Sequence, residues 1–310
     1  DLRPAGIAQP AGIGRCAGLG QASDTAAAVA NAEGPRLAAS QRANTPFVVI
    51  PLPEPGPMII DSHQHFWTLA RGDYGWITED LAPIYRDFSP KDLRPLLDAH
   101  GVDATIAVQA APTWPETEFL LDIAQLNPWV LGVVGWMDIT AETAADAIRG
   151  AAETHPRLLG LRPMIQDISD DRWMLQNSLR PAIEAMAASN LTFDALVLPQ
   201  HLAPLETFVR AYPSLRVVVD HGAKPEIRNQ GFEPWAGDIA AVAKHPNVWC
   251  KISGLLTEAS ADQTADDLAP YVQHIITVFG PERCLWGSDW PVLTLAGEYG
   301  SWLQTLQRRT

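Results

Sequence analysis

Positive charge is scarce in this chain of 310 residues: 22 Lys and Arg stand against 36 Asp and Glu, for a formal net charge of −14. A surface so short of basic residues gives nucleic acid or an anionic membrane nothing to bind. Long apolar runs are missing as well. No stretch approaches the roughly 18 uncharged apolar residues of a membrane-spanning helix, so none is expected. Cysteine is rare; Cys16, Cys250 and Cys284 lie far apart and form no C-x-x-C pair. That excludes a zinc ribbon and a disulfide scaffold, and it fits a reducing cytoplasmic setting. What remains is 47% hydrophobic and 19% charged, the composition of an ordinary globular chain with a large core.

The first 57 residues differ from the rest. They are rich in Ala, Gly and Pro, poor in aromatics, and end in Pro51-Leu-Pro-Glu-Pro-Gly-Pro57. They carry neither the apolar core of a signal peptide nor the bias of a transit sequence. The expectation is a disordered extension or an early start site, with Met58 as the natural first residue. From 58 to 310 the pattern is one large domain.

Within that domain, short apolar runs alternate with helical patterns. Strands are expected at 58–62, 104–108, 130–136, 158–162, 192–197, 215–219, 247–252 and 283–287. Helix signals fall between them. Ser89-Pro90-Lys91-Asp92 supplies a cap, a first-turn proline and an early acid, and Gly101 a stop. Further helices are expected at 140–154, 179–189, 204–212, 234–245, 264–279 and 297–307, several followed by proline. Eight apolar strands alternating with helices imply a parallel sheet covered on its outer face, the α/β class. In about 250 residues this is a (β/α)₈ TIM barrel, with chemistry at the strands' C-terminal ends. A doubly wound open sheet is the runner-up, but it would carry a Gly-rich phosphate turn where this chain has His-Gln-His.

Polar residues collect at those strand ends. His63 and His65 stand two apart after the first strand, and on an extended backbone both point to one side. Two convergent imidazoles begin many metal sites, although an exposed polar strand explains such a pair equally well. Gln109 follows strand 2, Arg162 and Gln166 follow strand 4, and His201 follows strand 5. Asp220, His221 and Lys224 follow strand 6, Lys251 strand 7, and Asp289 strand 8. Four of the eight histidines therefore sit at strand ends; His100, His155 and His245 sit at helix C-termini and His274 in mid-helix. Histidines and a carboxylate that leave one coordination position open make a hydrolytic metal centre. Arg162, Lys224 and Lys251 are candidates for binding sugar hydroxyls or a carboxylate, with a strand-end ion pair to Asp220 or Glu226 as the alternative. Trp67, Trp114, Trp136 and Trp290 adjoin these ends, as ring-stacking platforms or as core. The long first loop, residues 73–86, can reach over the site with Tyr74, Trp76 and Arg86.

Four motifs in order, Asp61-Ser-His-Gln-His-Phe-Trp67, Gly160-Leu-Arg-Pro163, Asp220-His-Gly-Ala-Lys-Pro225 and Trp286-Gly-Ser-Asp-Trp-Pro291, resemble the amidohydrolase-related branch of the amidohydrolase superfamily. Within it they look most like sugar-acid lactonases of the L-fuconolactonase and L-rhamnono-lactonase type. The resemblance spans about residues 58–300 and implies a metal-dependent hydrolase barrel. It implies one divalent metal, often zinc, on His63, His65, His201 and Asp289, with His221 polarising water or substrate and Asp289 moving the proton. Strand 4 offers no Lys or Glu to bridge a second metal, and some lactonases of this branch are held to work without any. Arg162, Lys224, Trp114, Gln166 and Trp290 are the substrate-binding candidates, and a small sugar lactone is the expected partner. The chain stops at Thr310, short of the closing segment usual in the family, so a weaker barrel closure is expected. A metal-dependent decarboxylase and a catalytically impaired barrel are the competing readings.

Overall fold

The computed structural model describes residues 58–308; the expectations for residues 1–57 lie outside them. Eight parallel strands form one sheet in sequence order: β1 (Ile60–Gln64), β2 (Ala104–Val108), β3 (Val130–Gly135), β4 (Leu158–Leu161), β5 (Thr192–Ala195), β6 (Arg216–Val219), β7 (Val248–Ile252) and β8 (Cys284–Trp286). The helices α1 (Pro90–His100), α2 (Trp114–Leu126), α3 (Ala144–Thr154), α4 (Arg180–Ala188), α5 (Leu202–Ala211), α6 (Trp235–Ala243) and α7 (Ala265–Phe279) connect them, and α8 (Tyr299–Gln307) follows β8. This is the expected (β/α)₈ barrel, nearly closed.

Local chemistry explains the elements. In β6, Val217, Val218 and Val219 are all buried, as a strand covered on both faces requires. Helix α1 begins at a capping box: the Ser89 amide and hydroxyl both donate to Asp92 Oδ2, at 2.9 and 2.6 Å. It ends at Gly101, whose left-handed backbone (φ 65°) lets its amide reach the Leu97 carbonyl. β1 lies two residues later than expected. The Ile59 amide is bound to Asp103 Oδ2 at 2.8 Å, and Met58 and Ile59 are exposed. His63 is consequently a strand residue rather than the first residue beyond.

The seam between β8 and β1 is closed just past β8. The Asp289 amide donates to the His63 carbonyl (2.8 Å), the His65 amide donates to the Trp290 carbonyl (2.7 Å), and Ser62 Oγ donates to the Trp286 carbonyl (2.6 Å). Helix α8 is pinned to the same region: Trp302 Nε1 donates to the Gly287 carbonyl (2.9 Å), and the Tyr299 hydroxyl to Asp61 Oδ2 (3.0 Å). The last helix thus contacts both sides of the seam, which is bridged at Gln64 and Trp290 rather than by a continuous β8–β1 ladder.

Candidate active site

The end of β1 fixes two imidazoles. His65 Nδ1 donates to the Val108 carbonyl at the end of β2 (2.8 Å), which fixes the ring and turns Nε2 toward His63 and Asp289. That Nε2 lies 3.3 Å from His63 Nε2 and 3.2 Å from Asp289 Oδ1. His63 Nε2 is itself 3.6 Å from the same Oδ1. Three ligand-type atoms therefore surround one point. Space for the rings comes from glycine: a Cβ on Gly287 would stand 2.6 Å from His63 Cβ.

His221 arrives by an unusual backbone. After β6, His221, Gly222, Ala223 and Lys224 run with φ of 54°, 58°, 60° and 49°, four left-handed residues in a row. Such a run costs about 1–2 kcal/mol for each non-glycine residue and persists only where its surroundings fix it. Trp235 Nε1 donates to the Gly222 carbonyl at 2.7 Å, and Ser253 Oγ lies 2.9 Å from His221 Nδ1. The turn delivers His221 and Lys224 together into one cavity. Gly254 sits under the ring, where a Cβ would meet His221 Nδ1 at 2.4 Å.

Electrostatics sort the group into neutral bases and one anion. Burial pushes His63 well below the ordinary histidine range, helped by the Lys251 charge and opposed by Asp220. Burial likewise lowers His221 to about 4, against Asp289 and Asp220. Burial alone would raise Asp289, but the neighbouring His221, the His65 hydrogen bond and His63 outweigh it and hold the carboxyl well below its usual range. Neutral imidazoles and an ionised carboxylate are what a divalent cation of intermediate softness needs. Among the described residues, His63, His221 and Asp289 form one group whose ligand atoms all lie within 4.8 Å of one another. His65 shares His63 and Asp289 with that group through its closer contacts. The donor set thus fits a metal, with His63 and Asp289 common to both triangles.

Beneath the imidazoles lies a dry charge network. Lys251 Nζ stands 2.6 Å from Asp194 Oδ2 and 3.0 Å from Asp220 Oδ1. Asp220 also accepts from Arg162 Nη1 (3.3 Å) and lies 3.6 Å from His63 Nδ1. The two acids keep Lys251 protonated despite burial. Lys251, a candidate for sugar contact, is therefore an internal counterion. Asp194 went unremarked in the sequence; an acid inside the apolar run 192–197 was the available signal.

Above the metal-type cluster is a cavity of about 260 Å³, near the small end of small-molecule sites. Its polar lining is His65, Arg162, Gln166, Asp167, His221, Lys224 and Asp289; Trp76, Ala110, Met164, Leu196 and Val292 supply the apolar wall. Lys224 Nζ donates to Gln166 Oε1 at 2.8 Å, so these two form a polar pair facing the space. Arg162 lines the cavity, yet its guanidinium is turned inward, onto Asp220 and the Gln109 carbonyl. Three expected residues are not brought here. His201 lies in a 3-10 turn (Pro199–His201), where its Nδ1 accepts the Leu198 amide at 3.0 Å and its Nε2 faces Asp171 Oδ1 at 3.3 Å. His221 takes the place expected for it in the cluster. Trp290 is buried between Phe66 and Phe88, with ring centroids 6.2 and 5.2 Å away. Trp114 starts α2 and packs near His155. Trp76, from the long first loop, is the tryptophan that lines the cavity.

The chain has known relatives in sequence and fold. Over 247 residues the chain is 48% identical to an L-fucono-1,5-lactonase of Burkholderia ambifaria, covering 79% of this chain and 85% of that one. A second L-fucono-1,5-lactonase, from Burkholderia multivorans, is 33% identical, covering 82% and 88%. A crystal structure of a Burkholderia multivorans amidohydrolase with bound zinc superposes with a TM-score of 0.77 at 33% identity, covering 82% of this chain and 91% of that one. Residues 60–310 match the family described as Amidohydrolase, and the chain belongs to that family.

Proposed function

We propose that this protein is a hydrolase that opens a sugar-acid lactone, with L-fucono-1,5-lactone the first candidate. One observation carries the reading: an ionised Asp289 and a neutral His221 line a cavity sized for one small ring, with neutral His63 buried against Asp289. The likeness to two L-fucono-1,5-lactonases supports it. His63, His65 and Asp289 would hold one divalent metal, zinc by analogy with the bound ion of the Burkholderia multivorans structure, with His221 beside it. Such an ion supplies Lewis-acid polarisation and makes water nucleophilic at neutral pH. Asp289 accepts the proton of the attacking water and returns it to the ring oxygen as the alkoxide leaves. His221, oriented by Ser253, faces the carbonyl oxygen as negative charge develops. Lys224 and Gln166 bind the ring hydroxyls. Free Cys250 and Cys284 suit a reducing cytoplasm, and we place the enzyme there.

Decarboxylation is disfavoured by Arg162. The guanidinium that would clamp a carboxylate is bound to Asp220 and the Gln109 carbonyl. The test is acid release from a panel of aldonolactones, followed with a pH indicator, with and without chelator. L-Fucono-1,5-lactone is expected to be opened; a folded protein inert across the panel sinks the reading, and release of carbon dioxide from an aromatic acid replaces it.

A further inference from the structure

We propose that Trp76 sets substrate affinity by covering an apolar face of the ring, and that Glu116, which lines no part of the cavity, positions Trp76 through the backbone of Ala110. The proposal rests on the lactone reading above. Trp76 comes from the first loop, and it lines the cavity while remaining 41% exposed. A large flat apolar surface left uncovered at a ring-sized space suits the C–H face of a sugar lactone, whose hydroxyl edges then meet Lys224 and Gln166.

The indole is held in place before any substrate arrives. Its Nε1 donates to the Ala110 carbonyl at 2.8 Å. Its edge packs on Trp67, centroids 5.8 Å apart at 81°, and Trp67 is itself anchored by Nε1 to the Arg86 carbonyl at 2.8 Å. A ring fixed at both points loses little rotational freedom on binding, so more of the contact appears as affinity.

The preceding peptide unit, which carries the Ala110 amide, leads to Glu116. The Ala110 amide donates to Glu116 Oε1 at 3.0 Å. Glu116 is fully buried, and among the described residues its second oxygen has no hydrogen-bond partner. An orphaned carboxyl oxygen in the interior is costly, so the group calls for an explanation. Capping α2 does not provide one, because Thr113 Oγ1 already accepts the Glu116 amide at 3.2 Å. What the carboxyl does hold is the amide of the residue whose carbonyl fixes Trp76, so it sets the Ala110 backbone from the neighbouring peptide unit.

Steady-state kinetics on L-fucono-1,5-lactone test both halves. Trp76→Ala should raise KM about tenfold with kcat within about twofold, and Trp76→Phe, which keeps a ring but loses the N–H, about threefold. Glu116→Ala should reproduce part of that KM rise, and Glu116→Gln, which keeps an oxygen for the Ala110 amide, should restore it. In the Trp76→Ala background, Glu116→Ala should add nothing. Should Glu116→Ala fail to fold, Glu116→Met, near in volume and lacking the acceptor, replaces it. An unchanged KM in Trp76→Ala overturns the role of Trp76. Equal KM rises from Glu116→Ala with and without Trp76 overturn the positioning role and leave Glu116 structural. A wild-type chain inert to all lactones removes the lactone reading and this proposal with it; an active wild type with unmoved variants removes this proposal alone.

Discussion

Asp289 and His63 meet twice. The Asp289 amide donates to the His63 carbonyl at 2.8 Å, and Asp289 Oδ1 stands 3.6 Å from His63 Nε2. The first contact closes the barrel seam; the second belongs to the site. Site geometry is thus set by the same residues that close the sheet, and the two roles can be separated. Asp289 has φ of 58°, a conformation Asn tolerates nearly as well as Asp. Asp289→Asn should therefore keep the amide bond and the fold while removing the proton acceptor. We expect kcat to fall about 10³-fold with the melting temperature within a few degrees of wild type. A wild-type kcat in this variant would take proton transfer away from Asp289.

Metal removal is the second prediction. The cluster of His63, His65, His221 and Asp289 pays for its burial most readily with a cation at its centre. Dialysis against chelator should abolish lactone hydrolysis and lower the melting temperature, and zinc should restore both. A ligand at 100 times its dissociation constant adds about 2.7 kcal/mol, on the order of 5–10 °C for a chain of this size. Full activity and an unmoved melting curve after metal analysis shows none left would mean that these side chains hold substrate directly.

Lys251 carries the third. With Nζ 2.6 Å from Asp194 and 3.0 Å from Asp220, it neutralises two buried acids. Lys251→Met would strand both, at a cost of about 3–5 kcal/mol by the usual penalty for breaking a buried pair. Adding Asp194→Asn should recover part of that loss, since one stranded charge is gone. Urea unfolding of the single and double variants reads both effects. A loss under about 1 kcal/mol for Lys251→Met would mean that the acids are not held as ions.

Much of this was legible in the sequence, and its limits are physical. Strand positions came through because parallel strands buried on both faces read as apolar runs, and only β1 moved by two residues. His63, His65, His221, Asp289, Gln166 and Lys224 share the site because strand ends converge at one mouth of a barrel. His201 stands at a strand end too, yet the turn after β5 folds its Nδ1 back onto the Leu198 amide. Side-chain direction in a turn has no two-residue period to read. Trp290 follows the left-handed Asp289, which swings it into the core against Phe66 and Phe88. Glu116 was invisible for a different reason: an acid in the first turn of a helix looks like an ordinary dipole partner. Its meaning depends on burial, which sequence does not display.

That burial makes the last prediction. Burial pushes the Glu116 carboxyl from 4.5 up to about 8, although the Ala110 hydrogen bond and the Arg162 and Arg71 charges pull it down. In the unfolded chain the group loses its proton near 4.5. Between 4.5 and 8, then, the folded protein holds a proton that the unfolded chain has shed, and rising pH favours unfolding. The stability linked to that proton is complete below 4.5 and lost above 8, up to about 5 kcal/mol in all. Glu116→Gln has no such proton. Its unfolding free energy relative to wild type should climb steadily from pH 5 to pH 8 and level off beyond. Asp61, pushed by burial to about 6, titrates in both proteins and cancels in the comparison. Urea unfolding at pH 5, 6, 7, 8 and 9 gives the curve. A difference that stays flat with pH would show Glu116 already ionised in the fold, and the Ala110 peptide would then be held by a carboxylate rather than by a neutral acid.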